Sequence, residues 1–263
     1  MSTRTFRRAV VSFAAAATFV GSAFAIEGTP EGDPVALARS AYAAYVSGDV
    51  QRSLADYRAA ADLGHVGALW KLARIYENGE VGERRPHEAY KAYAELVSRH
   101  GSVPPRARDA VFVSSAFVSL GRMHELGIPG ELPANPSVAA SAYFQAASYF
   151  GAPEGQFQLG RMLIANGASA PDVFRRGVRW LKLAADKNHT GAIALLGNIL
   201  FEGIHVEPNA VLGLSMLYRA KQSAPSQSRS WIDRLYAEAS EAAEENVRRA
   251  AIALAKREFE QPG

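Results

Sequence analysis

Leu120-Gly121-Arg122-Met123-His124, closed by Gly127, and Leu159-Gly160-Arg161-Met162-Leu163, closed by Gly167, are two copies of one helical phrase. Two further copies flank them: Leu72-Ala73-Arg74-Ile75-Tyr76 ending at Gly79, and Leu196-Gly197-Asn198-Ile199-Leu200 ending at Gly203. The leading leucines lie 39 residues apart between Leu120 and Leu159, and 37 between Leu159 and Leu196. That is the period of a two-helix unit, which buries its apolar face only by stacking on its neighbours. The expectation is a repeat solenoid whose extended surface binds rather than catalyses.

A second phrase alternates with the first. Tyr57-Arg58-Ala59-Ala60, Phe144-Gln145-Ala146-Ala147 and Leu181-Lys182-Leu183-Ala184 each lead through a corner at Gly64, Gly151 or Asn188 to a phrase leucine 8 residues beyond it. Small residues recur at Ala68, Gly155 and Ala192, where close helix approach needs them. Apolar residues repeat at three and four rather than two, so the chain reads as all-α.

Glycine and proline punctuate the helices. The expected pairs are Val35 to Ser47 with Val50 to Leu63, Gly67 to Asn78 with Pro86 to Val97, Ala110 to Leu126 with Pro136 to Phe150, Glu154 to Ala165 with Val173 to Lys187, and Gly191 to Glu202 with Pro208 to Gln222. A single helix from Ser228 to Phe259 closes the last unit, because an open solenoid end leaves apolar surface in water. The organisation is thus a secretory signal at 1–25, a linker at 26–35, a solenoid at 36–222, and a C-terminal capping helix and tail at 223–263.

The signal rests on Arg4, Arg7 and Arg8 before the apolar stretch Ala9 to Val20, with Ala23-Phe24-Ala25 at the cleavage site. The apolar core is shorter than the ~20 residues that cross a bilayer. The expected location is the periplasm. The signal's three arginines account for the formal charge of +3, since 29 − 3 = 26 Lys plus Arg then balance 26 Asp plus Glu. A balanced chain gives no case for nucleic acid. With no cysteine, disulfides, thiolate zinc sites and cysteine nucleophiles are excluded.

The two phrases resemble the SLR (Sel-like repeat) family, relatives of the tetratricopeptide repeats, with the pattern A-x-x-x-L-G-x-x-Y-x-x-G followed by K-A-x-x-W-Y-x-x-A-A. The resemblance covers roughly Ala36 to Gln222. Ala73 replaces the first glycine, Leu163 and Leu200 replace the tyrosine, and a break between Val97 and Ala110 stretches the first leucine interval to 48. It implies a right-handed α-solenoid of about five antiparallel helix pairs that binds another protein. The layout of signal, cysteine-free repeats and charged helical tail resembles, within that family, the periplasmic negative regulators of exopolysaccharide synthesis. This implies a protein partner in the periplasmic domain of a sensor histidine kinase of a two-component system, held off until acid or proteolysis relieves it. The alternative is an SLR scaffold of an envelope complex such as polysaccharide export.

Catalytic signatures are missing. There is no phosphate-binding glycine loop, no H-E-x-x-H and no G-x-S-x-G. His124-Glu125 lacks a second histidine four places on and reads as packing. No catalytic residue, metal or cofactor is expected, and a cell-wall enzyme would need converging acids or a nucleophile and base.

Candidate contact residues come from columns of the repeat. Arg74, Arg122 and Arg161, with Asn198 as fourth member, lie two residues beyond each packed leucine, about 200° around the helix. Trp70, Val118 and Phe157 stand one turn earlier on the same side, so guanidinium and aromatic groups would line the concave groove and suit an acidic or extended peptide. Alternatively the column is a solvated face, with Glu77 and Glu125 three residues on from Arg74 and Arg122 pairing within their own helices. His65 and His189 share the position after the corner, either as acid sensors at repeat joints or as ordinary corner residues. The basic, proline-bearing segment Ser98 to Arg106 is either an exposed contact loop or a passive insertion.

Overall fold

The computed structural model describes residues 32–167 and 170–260. The expected signal at 1–25 and most of the linker lie outside the described residues. Twelve α-helices form among them: α1 Pro34–Ser47, α2 Val50–Asp62, α3 Val66–Asn78, α4 Pro86–His100, α5 Ala110–Leu126, α6 Pro136–Phe144, α7 Pro153–Asn166, α8 Pro171–Ala185, α9 Thr190–Glu202, α10 Ala210–Ser223, α11 Ser226–Ala242 and α12 Glu245–Glu260. No strand forms among the described residues; one isolated bridge joins Ile128 and Leu132. The helices pack as five consecutive hairpins, α1 with α2 through α9 with α10, each stacked on the next. This is the all-α solenoid that the repeated phrase requires.

Local chemistry sets the boundaries. Asp33, Asp49, Asn135 and Asn209 cap α1, α2, α6 and α10 through their side chains, satisfying amide donors that have no carbonyl four residues back. Proline opens α1, α4, α6, α7 and α8, where its missing N–H costs nothing. Gly48, Gly79 and Gly203 end α1, α3 and α9 in the left-handed conformation.

All four phrase leucines are buried, in clusters that bridge adjacent hairpins. One cluster joins Leu69 of α3, Tyr93 and Leu96 of α4, and Val113 and Leu120 of α5. The glycine after the leucine lets the second helix of the hairpin close in. A Cβ on Gly121 would lie 2.5 Å from the Tyr143 ring, and one on Gly197 would lie 2.8 Å from Gly213 O. Ala73 stands in that column in the α3–α4 hairpin, fully buried.

Two expected elements differ. The helix from Pro136 runs as α-helix to Phe144 and then as a π-helical turn over Gln145–Tyr149. There α7 crowds the turn, since a Cβ on Gly155 would meet Ala146 Cβ at 2.6 Å. The buried Gln156 amide donates to Ala147 O at 3.3 Å, pairing a carbonyl at the irregular turn. The single terminal helix expected from Ser228 to Phe259 is two helices. Ala243 is extended, at φ −77° and ψ 144°, so α12 turns back onto α10. The Arg248 guanidinium donates to Ser240 O at 3.0 Å and also to Ala243 O, supplying donors to carbonyls that the end of α11 leaves open.

Candidate binding groove

The arginine column is built on the first helices of successive hairpins, α3, α5 and α7. Arg74 and Arg122 do not pair with the glutamates three residues on in their own helices, although Arg161 Nε donates to Gln158 within α7 at 3.0 Å. Arg122 donates to Glu77, one repeat back, and Arg161 donates to both oxygens of Glu125 at 2.7 Å, again one repeat back. Each carboxylate also accepts a buried phenol: Tyr93 Oη reaches Glu77 at 2.7 Å and Tyr143 Oη reaches Glu125 at 2.8 Å. The two tyrosines are fully buried, and burial first, then the adjacent carboxylate, makes both weaker acids than free phenol. Burial opposes ionisation of Glu125, but the bonds from Arg161 and Tyr143 outweigh it and hold its carboxyl below the ordinary range. The result is a ladder in which the arginine of one repeat neutralises the glutamate of the repeat before it.

The ladder has ends. Arg74 stands one repeat after Val46, and Asn198 one repeat after Ile164, so neither position has an acid behind it. Arg74 instead rests over the Trp70 ring, its guanidinium carbon 5.1 Å from the ring centroid. Trp70 is fixed in turn, with Nε1 donating to Ser115 Oγ at 3.1 Å and its ring 5.3 Å from that of Phe112. Of the three arginines, only Arg74 holds a guanidinium not engaged by a carboxylate. Phe157 is 8 % exposed and stacked on His189 at 4.5 Å, and Val118 is buried, so both rings and methyls lie chiefly in the core.

His65 and His189 occupy one structural role. Each is the N-cap of a first helix, α3 and α9, with imidazole Nδ1 accepting from the N–H of Ala68 and of Ala192, both at 3.1 Å. An accepting Nδ1 carries no proton. His189 Nε2 lies 2.9 Å from Glu154 Oε2. Burial raises the Glu154 carboxyl, but bonds from His189 and Gln158 prevail and lower it. His124 packs its ring against Tyr90, and Glu125 belongs to the ladder. No group of three or more His, Asp or Glu among the described residues is placed to hold a metal ion.

An open cavity of about 850 Å³ adjoins Arg74. Its walls come from α3, the loop after α3, the loop before α5, α5 itself and the corner that begins α7. It places Arg84 and Arg108 beside Arg74 and Arg122. Column reasoning missed Arg84 and Arg108, because they sit in connecting loops and belong to no repeated phrase. The basic break provided a partial signal. Its position is defined by Val103, packed on the core, and by Ser102 O, which accepts from Tyr149 Oη at 3.4 Å. Toward the C-terminal end, a second cavity of about 440 Å³ brings Trp231 of α11 together with Phe157, Arg161 and Leu195. There α11 packs against α9 and α10 and partly covers the groove.

Among the described residues no helix is long and apolar enough to cross a membrane. The Sel1 repeat model matches residues 66–91, 118–149, 153–189 and 190–223. The chain is 33% identical over 251 residues to the exopolysaccharide production negative regulator of Rhizobium meliloti (strain 1021), an alignment covering 94% of this chain and 91% of that protein. It is 34% identical over 237 residues to the protein of the same name from Rhizobium leguminosarum bv. viciae, covering 88% and 85%. Among solved structures, a Sel1 repeat protein from Oxalobacter formigenes matches with TM-score 0.61 at 17% identity, over 86% of this chain and 88% of that one. A protective antigen of uropathogenic Escherichia coli displaying an SLR fold matches with TM-score 0.51 at 18% identity, over 87% of this chain but 54% of that longer one. Both structures share the solenoid. With its repeats matched in four stretches and relatives about one-third identical along nearly its whole length, this chain belongs to the Sel1 repeat family.

Proposed function

We propose that the protein is a periplasmic, non-enzymatic regulator that binds the periplasmic domain of a sensor histidine kinase and holds down exopolysaccharide production. The observation that carries this reading is the 33% identity across 91% of a protein named as a negative regulator of exopolysaccharide production. The architecture supports it physically, since a solenoid is an extended scaffold for another protein and its Arg–Glu ladder runs along successive first helices. The kinase partner and the periplasmic location extend the resemblance. They draw on the secretory pattern of residues 1–25 and on the repeat groove of Arg74, Arg122, Arg161, Asn198, Trp70 and Phe157.

The test is twofold. N-terminal sequencing of protein recovered from the periplasm should begin at Ile26. Immobilised mature protein should retain the purified periplasmic domain of a sensor kinase encoded in the same genome, and loss of the gene should raise exopolysaccharide. Met1 retained in cytoplasmic protein removes the location. A kinase domain that never binds removes the partner.

A further inference from the structure

Of the repeat column's three arginines, Arg74 is the one a partner can reach without displacing an internal ion pair. Arg122 and Arg161 each already hold a carboxylate of their own chain, so a partner's acid must displace an internal ion pair to reach them. Arg74 has no such pair, and the Trp70 ring supports its guanidinium from one side. Arg84 and Arg108 are exposed, and both line the same cavity as Arg74. The cavity wall holds four arginines against two glutamates, and the two glutamates are committed, Glu77 to Arg122 and Tyr93 and Glu154 to His189 and Gln158. Three arginines without an ion pair therefore line one space.

The rest of the wall describes the ligand. Ser114, Ser115 and Ser119 of α5 form part of its wall, while Val111, 64 % exposed, and Phe150 add apolar surface. At about 850 Å³ it is near the upper end of ligand-sized pockets. It runs from α3 across α5 to Gly151 and Pro153, with Gln227 of α11 at its margin. A single small anion would contact only a fraction of such a cleft, whereas an extended segment with alternating carboxylates and an apolar side chain could satisfy all of it. At the opposite end of the groove, Trp231 of α11 stands beside Phe157 and Arg161, whose guanidinium is already paired with Glu125.

We infer that this cleft is the docking site for an acidic, extended peptide segment of the protein partner, with Arg74, Arg84 and Arg108 as its carboxylate anchors. The inference rests on the protein-binding reading above and narrows it to one end of the solenoid. Each guanidinium offers a planar fork that matches a carboxylate, and Arg74 is preorganised by its stacking on Trp70, so little side-chain freedom is lost on binding.

The probe is a fluorescein-labelled octapeptide of alternating Asp and Glu around one leucine, with the Asn/Gln version as control, titrated against the mature chain by anisotropy. The acidic peptide should bind saturably, about tenfold or more tighter than the amide version, and weaken as salt rises. The triple variant Arg74→Ala, Arg84→Ala, Arg108→Ala should lose about tenfold or more while keeping the wild-type helical circular dichroism and melting curve. Arg175→Ala with Arg179→Ala, on exposed sites of α8, should change nothing. Absence of saturable binding, or a triple variant that binds like wild type, overturns the site. Free glutamate or inorganic phosphate competing at the affinity of the peptide also overturns it, in favour of a small-anion pocket. A kinase domain still retained by the triple variant overturns the cleft and leaves the regulator reading standing. Peptide binding that behaves as expected while no kinase domain is retained supports the cleft and removes the kinase.

Discussion

Arg122 of α5 and Glu77 of α3 form an ion pair across consecutive repeats, and the buried Tyr93 hydroxyl donates to the same carboxylate. The two partners are not energetically equivalent. The Arg122 side chain is 48 % exposed and the Glu77 side chain 16 %. Removing the arginine leaves a carboxylate that still accepts from Tyr93, and with the arginine half-exposed to solvent the pair is worth about 1 kcal/mol or less. Removing the glutamate strands a buried phenol and costs about 1–3 kcal/mol. Urea unfolding should therefore find Glu77→Ala clearly more destabilising than Arg122→Ala. Equal losses would mean that Tyr93 finds another acceptor and that the ladder is not asymmetric.

The sequence made the columns legible but not their pairing. Leucine, glycine, arginine and histidine recur at fixed positions, so their sharing of a role follows from spacing alone. Whether Arg122 meets Glu125 in its own helix or Glu77 in the previous repeat depends on how far each hairpin slides past its neighbour, which no one-dimensional period encodes. The cavity was less legible still. Two of its three open arginines, Arg84 and Arg108, lie in connecting loops outside the repeated phrases, and only the fold brings those loops to the same cavity as Arg74. The terminal break at Ala243 was hidden for a different reason. An alanine- and glutamate-rich run has high helix propensity throughout, and tertiary packing of α12 on α10 overrides it.

Gly121 should tolerate no side chain. A methyl there would lie 2.5 Å from a Tyr143 ring carbon, and the ring is held at its far end by the bond to Glu125. Gly121→Ala should therefore cost about 1–3 kcal/mol by overpacking, despite the higher helix propensity of alanine. Because Tyr143 must shift, Arg161 and Glu125 should also lose their geometry. Thermal unfolding checks the first consequence. A double-mutant cycle between Arg161 and Glu125 in the Gly121→Ala background checks the second, and a coupling energy unchanged from wild type would mean that the ring moves independently of the ladder.

Glu80 gives the first joint of the solenoid its pH dependence. Burial opposes its ionisation, but Lys71, Asn78 and Tyr45 donate to the carboxylate and hold its pKa down at about 2, against an ordinary value of 4.5. A depressed folded-state value means stability that is complete above pH 4.5 and is lost as pH falls from there toward 2. Mild acid above that window leaves this joint intact. Glu80→Gln should cost about 1–3 kcal/mol at neutral pH and flatten the stability profile within the window. A wild-type profile that already declines well above pH 4.5 has to arise from other groups.

His65 and His189 show how a ring can start a helix. Each Nδ1 accepts from a backbone N–H at 3.1 Å, so the imidazole takes the place of the usual capping oxygen. At His189, Nε2 also contacts Glu154, whereas His65 has no such carboxylate contact among the described residues. Its hold on the start of α3 therefore rests on the bond to Ala68. Asparagine caps a helix well too. His65→Asn should keep stability within about 0.5 kcal/mol, whereas His65→Ala should lose about 1 kcal/mol. Amide hydrogen exchange at Ala68 should be as slow in His65→Asn as in the wild type, and faster in His65→Ala. If His65→Ala protects Ala68 as well as the wild type does, the ring is not the cap and the histidine columns are corner residues only.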